Sequence, residues 1–454
     1  MKLAILGGGG FRVPLVYGAL LRDTGTPRVD EVALCDPSAQ RLSVIGAVLA
    51  RLGASHADPP RVKLTTDLDP ALEGAAFVFS AIRVGGLAGR IRDERIALDL
   101  GVLGQETTGP GGVAYGLRTI PEAVRIAERV RAVAPLAYVI NFTNPAGMIT
   151  EAMQAVLGER VVGICDTPGN LVYRCAASLG LDPSDVHADY AGLNHLGWLR
   201  GLRDGDGRDR LPDLLGDERA MSTLEEGALF GPDWLRTLGA IPNEYLYYYS
   251  FTREAIRSIV DQPSTRGEFL ARQQAEFYAE AGRESDRALD LWRRTIAERE
   301  ALYMAEAKHG TREAPAPPPG DVETRPPSGY EGVALAVMAA LARDEPSTMI
   351  LDVRNGSTLA GLDDDAVIEV PARVDASGAH PLPASPPDMH QCGLIQQVKA
   401  VERLTIEAAT TGSPDAAWKA FALHPLVDSV TVARDLLRGY ANAFPEIARL
   451  LGQA

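Results

Sequence analysis

Cysteine is scarce in these 454 residues: Cys35, Cys165, Cys175 and Cys392 are the only four, far apart and without a C-x-x-C pair. That spacing excludes a disulfide framework and a zinc ribbon. The ordinary state of each is a buried thiol, although a single cysteine can ligate a metal when its partners come from elsewhere in the fold. Long apolar runs are lacking as well. Runs such as Leu136 to Ile140 fall far short of a bilayer span, so no membrane partner is expected. Positive charge is in deficit: 45 Lys and Arg stand against 60 Asp and Glu, a formal charge of -15. Nucleic-acid binding normally needs a basic face that releases counterions, so no such partner is expected either. The N-terminus has one lysine and a short apolar run breaking into four glycines, a buried strand and turn rather than a secretory segment, and a cytoplasmic location is expected.

What is present reads as ordinary globular material, 46% hydrophobic and 23% charged, long enough for two domains. Leu3 to Leu6, Glu31 to Cys35, Phe77 to Ile82, Leu136 to Phe142 and Val161 to Cys165 are short apolar runs with helical stretches between them, which predicts an α/β fold with a parallel sheet. Functional residues of such a sheet gather at the carboxyl ends of its strands. The polar residues there are Asp36, Arg83, Asn141 with Asn144, and Asp166. Residues 311–328 are dense in proline and charge and read as an exposed loop or hinge. Beyond them, Gly332 to Ala342 is a helical run. Ala366 to Val370 and Arg373 to Asp375 are strand pieces around Pro371, and an amphipathic helix starts at Leu394.

Gly7, Gly8, Gly9 and Gly10 follow the first strand and precede a helix start at Pro14, so the backbone can approach a pyrophosphate. Arg12 and Val13 stand where the third glycine of G-x-G-x-x-G would fall, and close helix packing is not guaranteed. Asp36, ending the second strand, suits the ribose hydroxyls of NAD and disfavours the extra phosphate of NADP. The alternative is a tight glycine turn without a ligand.

The strings Arg90-Ile91-Arg92-Asp93-Glu94, Gly104-Gln105-Glu106-Thr107-Thr108-Gly109-Pro110-Gly111-Gly112, Asn141-Phe142-Thr143-Asn144-Pro145, Gly163-Ile164-Cys165-Asp166 and Asn194-His195 closely resemble glycoside hydrolase family 4 in order and spacing. The resemblance continues through Asn243-Glu244-Tyr245-Leu246, Thr265-Arg266-Gly267-Glu268 and Asp352-Val353-Arg354-Asn355. It implies an NAD-binding Rossmann-like domain over residues 1–165. An α+β catalytic and oligomerisation domain over 166–454 would follow, like that of lactate and malate dehydrogenases. It also implies hydrolysis of 6-phospho-glycosides, and NAD-dependent family 4 is an exception to the two-carboxylate scheme of glycosidases. Members are thought to oxidise the sugar at C3 by hydride transfer, so that the C2 proton becomes acidic. Elimination at C1, water addition and hydride return follow.

Each role has a candidate by resemblance. NAD falls to Gly7, Gly8, Gly9, Gly10, Phe11, Arg12, Asp36 and Asn141. A divalent metal, manganese in most members, falls to Cys165 and His195; a Cys and His pair by itself suggests zinc first. Tyr245 stands as the base at C2, assisted by Glu106, and Asp166 as the acid for the leaving group. Arg90, Asn144 and Arg266 stand as substrate contacts, since guanidinium suits phosphate. Each has a plainer explanation: lone cysteines and histidines usually pack, the tyrosines at 247, 248 and 249 suggest an aromatic core, and a lone arginine is usually solvated. Asp after the cysteine is typical of alpha-acting members, whereas Val374 to Ala379 reads like the beta group, which is favoured. Phosphorylated disaccharides or glycosides are the expected partners, and a homodimer or homotetramer the expected assembly. The competing functions are a 6-phospho-alpha-glucosidase, an NAD-dependent 2-hydroxy acid dehydrogenase and a non-catalytic NAD-binding sensor.

Overall fold

The computed structural model describes residues 1–301 and 329–452; the proline-rich stretch 311–328 lies outside them. The described strands are β1 (Lys2–Leu6), β2 (Glu31–Cys35), β3 (Arg61–Thr65), β4 (Ala75–Ser80), β5 (Tyr138–Asn141), β6 (Val161–Gly163), β7 (His187–Leu193), β8 (Leu196–Arg203), β9 (Ile241–Pro242), β10 (Ser347–Arg354), β11 (Val367–Asp375) and β12 (Gly378–Pro381). They form one sheet in the order β3-β2-β1-β4-β5-β6-β10-β11-β7-β8-β9, with β12 on β11.

The first six strands are parallel, in the order of a dinucleotide-binding fold. Their inner members are apolar almost throughout because helices cover both faces. Alternation along each strand sends Leu3, Ile5, Val32 and Leu34 into one core and Ala4, Leu6, Ala33 and Cys35 into the other. The helices Val13–Arg22, Ala39–Gly53 and Tyr330–Arg343 contribute to the first core, and Pro110–Val133, Ala146–Leu157 and Pro414–Leu423 to the second. The α/β expectation holds.

Three local expectations are corrected. Strand β3 was not foreseen, because its sequence RVKLT lies at the sheet edge with Arg61 and Lys63 turned to solvent near Glu31. The fifth strand starts at Tyr138 rather than Leu136, which is 92% exposed. The strand pieces around Pro371 are one strand. The Pro371 carbonyl accepts from Leu382 N–H, on the side away from β10. Since N–H and C=O of one residue point the same way in an antiparallel ladder, the missing proline N–H costs the β10 pairing nothing. The later helices match: Tyr330–Arg343 covers the first helical run, and Met389–Thr411 starts at a capping box of Asp388 and Gln391 and buries Ile395, Val398 and Val401.

Candidate active site

The glycine turn is held by crowding. A side chain at Gly8 would sit 2.6 Å from Leu34 Cβ and 2.7 Å from Cys35 N, and one at Gly7, whose φ is +80°, would sit 2.4 Å from the Ala81 carbonyl. Only glycine lets β1, β2 and β4 approach this closely. The N–H groups of Gly7 and Gly8 both donate to Cys35 O, that of Gly10 to Gly7 O, and that of Gly9 to Asp36 Oδ2 at 3.2 Å. The turn therefore presents its last residues, Phe11 and Arg12, at the start of the helix Val13–Arg22. Distant side chains pin it from behind: Tyr278 donates to Gly9 O, Trp292 to Phe11 O and Tyr330 to Arg12 O. A cradle this tight, with a carboxylate ending β2, fits a dinucleotide.

Two expected cofactor residues turn elsewhere. The Phe11 ring is buried, edge-on to Phe277 at 5.2 Å, so its side chain packs in the core. Asn141 is fully buried; its amide donates to Thr143 O, Ala146 O and Thr150 Oγ1, and its Oδ1 accepts from Thr143 N–H. It shapes the turn that places half-buried Asn144 rather than presenting its own side chain.

Glu106 is the hub of the charged wall. Its Oε1 accepts from Arg90 Nη1 at 2.7 Å, and its Oε2 pairs with Arg83 Nη1 at 2.7 Å. Burial alone would raise its pKa, but the charges of Arg83 and Arg90 overturn that and hold it at about 2. Arg90 also donates through Nε to Glu94 Oε1 at 2.7 Å, and Glu94 Oε2 accepts from Gly267 N–H at 2.9 Å. This ties Arg90 to the first turn of the helix Arg266–Arg283, where a Cβ at Gly267 would strike Glu94 at 2.7 Å. Arg266 donates to Arg299 O at 2.9 Å. Burial, then the charges of Arg12, Arg266 and Arg90, push the Arg299 guanidinium well below the usual arginine range. Glu106 pulls the other way, and since arginine keeps its proton in practice, this is a setting that favours an anion.

The expected metal ligands come from other elements. Cys165 follows β6 and is buried; burial, with the charges of Glu369 and Asp166, raises its pKa strongly, so ionisation is favoured only beside a cation. Half-buried Asp166 is the N-cap residue of the helix Thr167–Ser178. His195 forms, with Asn194, the two-residue turn between β7 and β8 and has a φ of 63°. Burial lowers its pKa to about 4, against the opposing pull of Glu106, so the ring is neutral at pH 7. Its Nδ1 lies 3.0 Å from Thr107 Oγ1, whose own proton goes to Gln105 Oε1 at 3.1 Å. Nδ1 therefore carries the ring hydrogen, and Nε2 is left with its lone pair for a metal. A soft thiol and a neutral imidazole fit a divalent transition ion. Among the described residues no group of three or more His, Cys, Asp or Glu is placed to hold a metal.

Tyr245 lies on the turn Glu244–Leu246, its N–H held by Asn243 Oδ1 at 3.1 Å, and its ring stacks on His195 with centroids 3.6 Å apart. The family 4 glycosyl hydrolase model matches residues 2–180, and the family 4 glycosyl hydrolase C-terminal domain model matches residues 190–427. The chain belongs to glycosyl hydrolase family 4. A probable 6-phospho-beta-glucosidase of Bacillus subtilis (strain 168) is 32% identical over 96% of this chain and 95% of its own. The 6-phospho-beta-glucosidase of Thermotoga maritima, solved with manganese, NAD+ and glucose-6-phosphate, superposes with a TM-score of 0.82 at 28% identity, covering 98% of this chain and 99% of that one. A 6-phospho-alpha-glucosidase from gut microorganisms, in complex with NAD and Mn2+, gives 0.80 at 25% identity over 97% of each chain. A lactate dehydrogenase from a deep-sea metagenome shares the fold at a TM-score of 0.52 and 13% identity, covering 90% of this chain and 98% of that one.

Family 4 membership sets the chain among glycosidases rather than hydroxy-acid dehydrogenases. Sequence reasoning passed over Thr107, Arg299 and Glu369. Arg83 stood among the polar residues at the strand ends without a role of its own, and Thr107 only as part of a motif. Arg299 and Glu369 reach the site from helix Ala288–Ala301 and β11, with no local pattern to mark them.

Proposed function

We propose that this chain hydrolyses 6-phospho-glucosides with NAD and a divalent metal, manganese by preference, and that the beta anomer is its substrate. The observation that carries the reading is the linked set of Arg90, Arg266 and Arg299, joined through Glu94, Gly267 N–H and the Arg299 carbonyl and within reach of the Arg12 charge, in an otherwise acidic chain that also stacks His195 on Tyr245. Four guanidinium groups against two carboxylates, Glu94 and Glu106, both on Arg90, leave a surplus of positive charge that suits a dianionic phosphate. Residues 1–165 would bind NAD and 166–454 the metal and sugar. Gly7 to Arg12 and Asp36 would hold the dinucleotide, with Asn141 fixing the turn, and Cys165 and His195 would hold the metal.

When bound, NAD supplies reversible hydride acceptance at the sugar's C3 and the metal polarises the adjoining oxygens. In this reading the arginines and Asn144 fix the phosphorylated sugar, so that C2 meets Tyr245. The Tyr245 oxygen takes the C2 proton. Asp166, next to Cys165, gives a proton to the departing C1 oxygen. Glu106 stays ionised and holds Arg83 and Arg90 in place, so its part is to position the anion site. The β preference is supported by the stretch Val374 to Ala379 and set against by Asp166. A homodimer or homotetramer in the cytoplasm completes the proposal: phosphorylated sugars do not cross membranes unaided, and no helix among the described residues is long and apolar enough to span one.

The test is release of p-nitrophenol from the beta- and alpha-glucoside 6-phosphates and their unphosphorylated counterparts, with and without NAD and Mn2+. Release that requires both additions and only the phosphorylated beta substrate is expected. Steady NADH formation from a hydroxy acid, without glycoside cleavage, would overturn it.

A further inference from the structure

Four residues stand in one row across the middle of the sheet. Gly163 on β6 is the ladder partner of Asp352 on β10, Asp352 is that of Glu369 on β11, and Glu369 is that of Gly192 on β7. Cys165 comes two residues after Gly163; Asn194 and His195 come two and three after Gly192. The strands that deliver the two expected metal ligands are thus joined through a pair of acids.

That pair is an odd choice for a sheet interior. Asp352 and Glu369 are each 1% exposed, and two facing carboxyl groups in a sheet interior carry a desolvation cost, or a mutual repulsion, that an apolar pair would not. Neither Asp352 oxygen has a hydrogen-bond partner among the described residues. The neighbouring strand makes room for it, since a Cβ on Gly163 would lie 2.6 Å from Asp352 Oδ2. Glu369 is fully engaged: Oε2 accepts from Tyr190 OH at 2.8 Å and Oε1 from Asn194 Nδ2 at 3.1 Å. Tyr190 OH in turn accepts from Asn243 Nδ2 at 3.2 Å, and Asn243 Oδ1 caps the turn that carries Tyr245. One carboxylate therefore reaches both the His195 turn and the Tyr245 turn.

His195 needs such support. Its left-handed backbone is unfavourable for a non-glycine residue and persists only where the surroundings over-determine it. An apolar pair at 352 and 369 would pack the sheet without the desolvation cost, but it could not grip Asn194 or Tyr190.

We propose that Glu369 is a positioning residue for the metal centre: it holds Asn194, and through it His195, at a fixed place relative to Cys165, with Asp352 as the prop between Glu369 and β6. The inference rests on the reading of Cys165 and His195 as ligands. Loss of such a support typically costs about 10- to 100-fold in metal affinity.

The experiment titrates Mn2+ into metal-free protein by electron paramagnetic resonance, and NAD by tryptophan fluorescence, for wild type, Glu369→Ala, Glu369→Gln, Asn194→Ala and the Asn194→Ala/Glu369→Gln double variant. Glu369→Ala and Asn194→Ala are expected to weaken Mn2+ binding about 10-fold or more while leaving NAD affinity within about two-fold. Glu369→Gln, which keeps a carbonyl for Asn194, should recover part of the loss, and the double variant should bind Mn2+ no worse than Asn194→Ala because both act through one contact. Should Glu369→Ala fail to fold, the Gln and Asn194 variants read the same contact. Unchanged Mn2+ affinity, additive losses in the double variant, or equal losses for Mn2+ and NAD would overturn the proposal. A wild-type protein that binds NAD but no Mn2+ would overturn the ligand reading, and this inference with it.

Discussion

The imidazole of His195 lies face to face on the phenol of Tyr245, ring centroids 3.6 Å apart and planes within 3° of parallel. The contact joins an expected metal ligand to the expected base, while Tyr245 also meets Tyr248 at 6.3 Å. Tyr247 stacks on Phe251 at 5.2 Å and meets Tyr248 at 6.1 Å, in the aromatic core. Tyr245→Phe keeps the ring and loses only the hydroxyl. Its kcat is expected to fall about 100-fold or more with little change in KM, as for loss of a general base; an unchanged kcat would clear Tyr245 of that role.

Cys165→Ser and His195→Ala are expected to abolish hydrolysis while NAD still binds, because the glycine turn and Asp36 stand apart from both. Chelation of wild-type protein should do the same reversibly, with Mn2+ restoring the rate. Full activity of either variant after chelation would sink the metal assignment.

Arg299→Gln and Arg266→Gln test the anion site. Charge-assisted hydrogen bonds to phosphate contribute about 1.5 to 3 kcal/mol each, so KM for the 6-phosphorylated substrate should rise about 10- to 100-fold. NAD affinity should hold steady. If the rise were the same for NAD, the cluster would belong to the cofactor instead.

His424 is buried far from solvent, its Nδ1 accepting from Leu426 N–H at 3.1 Å, and burial lowers its pKa from 6.5 to about 3. The unfolded chain takes up this proton as pH falls through 6.5, whereas the native protein excludes it. More protons bind to the unfolded state in that window, so stability falls as pH drops, by about 2 kcal/mol from this group at pH 5. Urea midpoints at pH 7 and pH 5 check this: His424→Asn, which keeps an acceptor near Leu426, should lose less between the two than wild type does.

Much of the first half of the fold was legible because buried parallel strands must be apolar along their whole length, as Leu3 to Leu6 and Glu31 to Cys35 are. Strand β3 escaped because an edge strand has no such need. The β7–β8 hairpin escaped too: its turn is Asn194-His195 rather than one of the glycine pairs that mark tight hairpins.

Order and residue type alone were enough for the α/β class and the glycine turn with its acid at Asp36; Cys165, His195 and Tyr245 became candidates through the resemblance to family 4. The tertiary structure decided what each of them can do. It made His195 neutral, with the ring hydrogen on Nδ1 and the lone pair on Nε2, through burial and a threonine 88 positions away. It kept Glu106 ionised between Arg83 and Arg90, gathered Arg12, Arg266 and Arg299 from three separate elements, and spent the side chain of Asn141 on a turn. Residue identity supplies a functional group, but protonation and orientation come from desolvation and from neighbouring charges, and those neighbours meet only when the chain is folded.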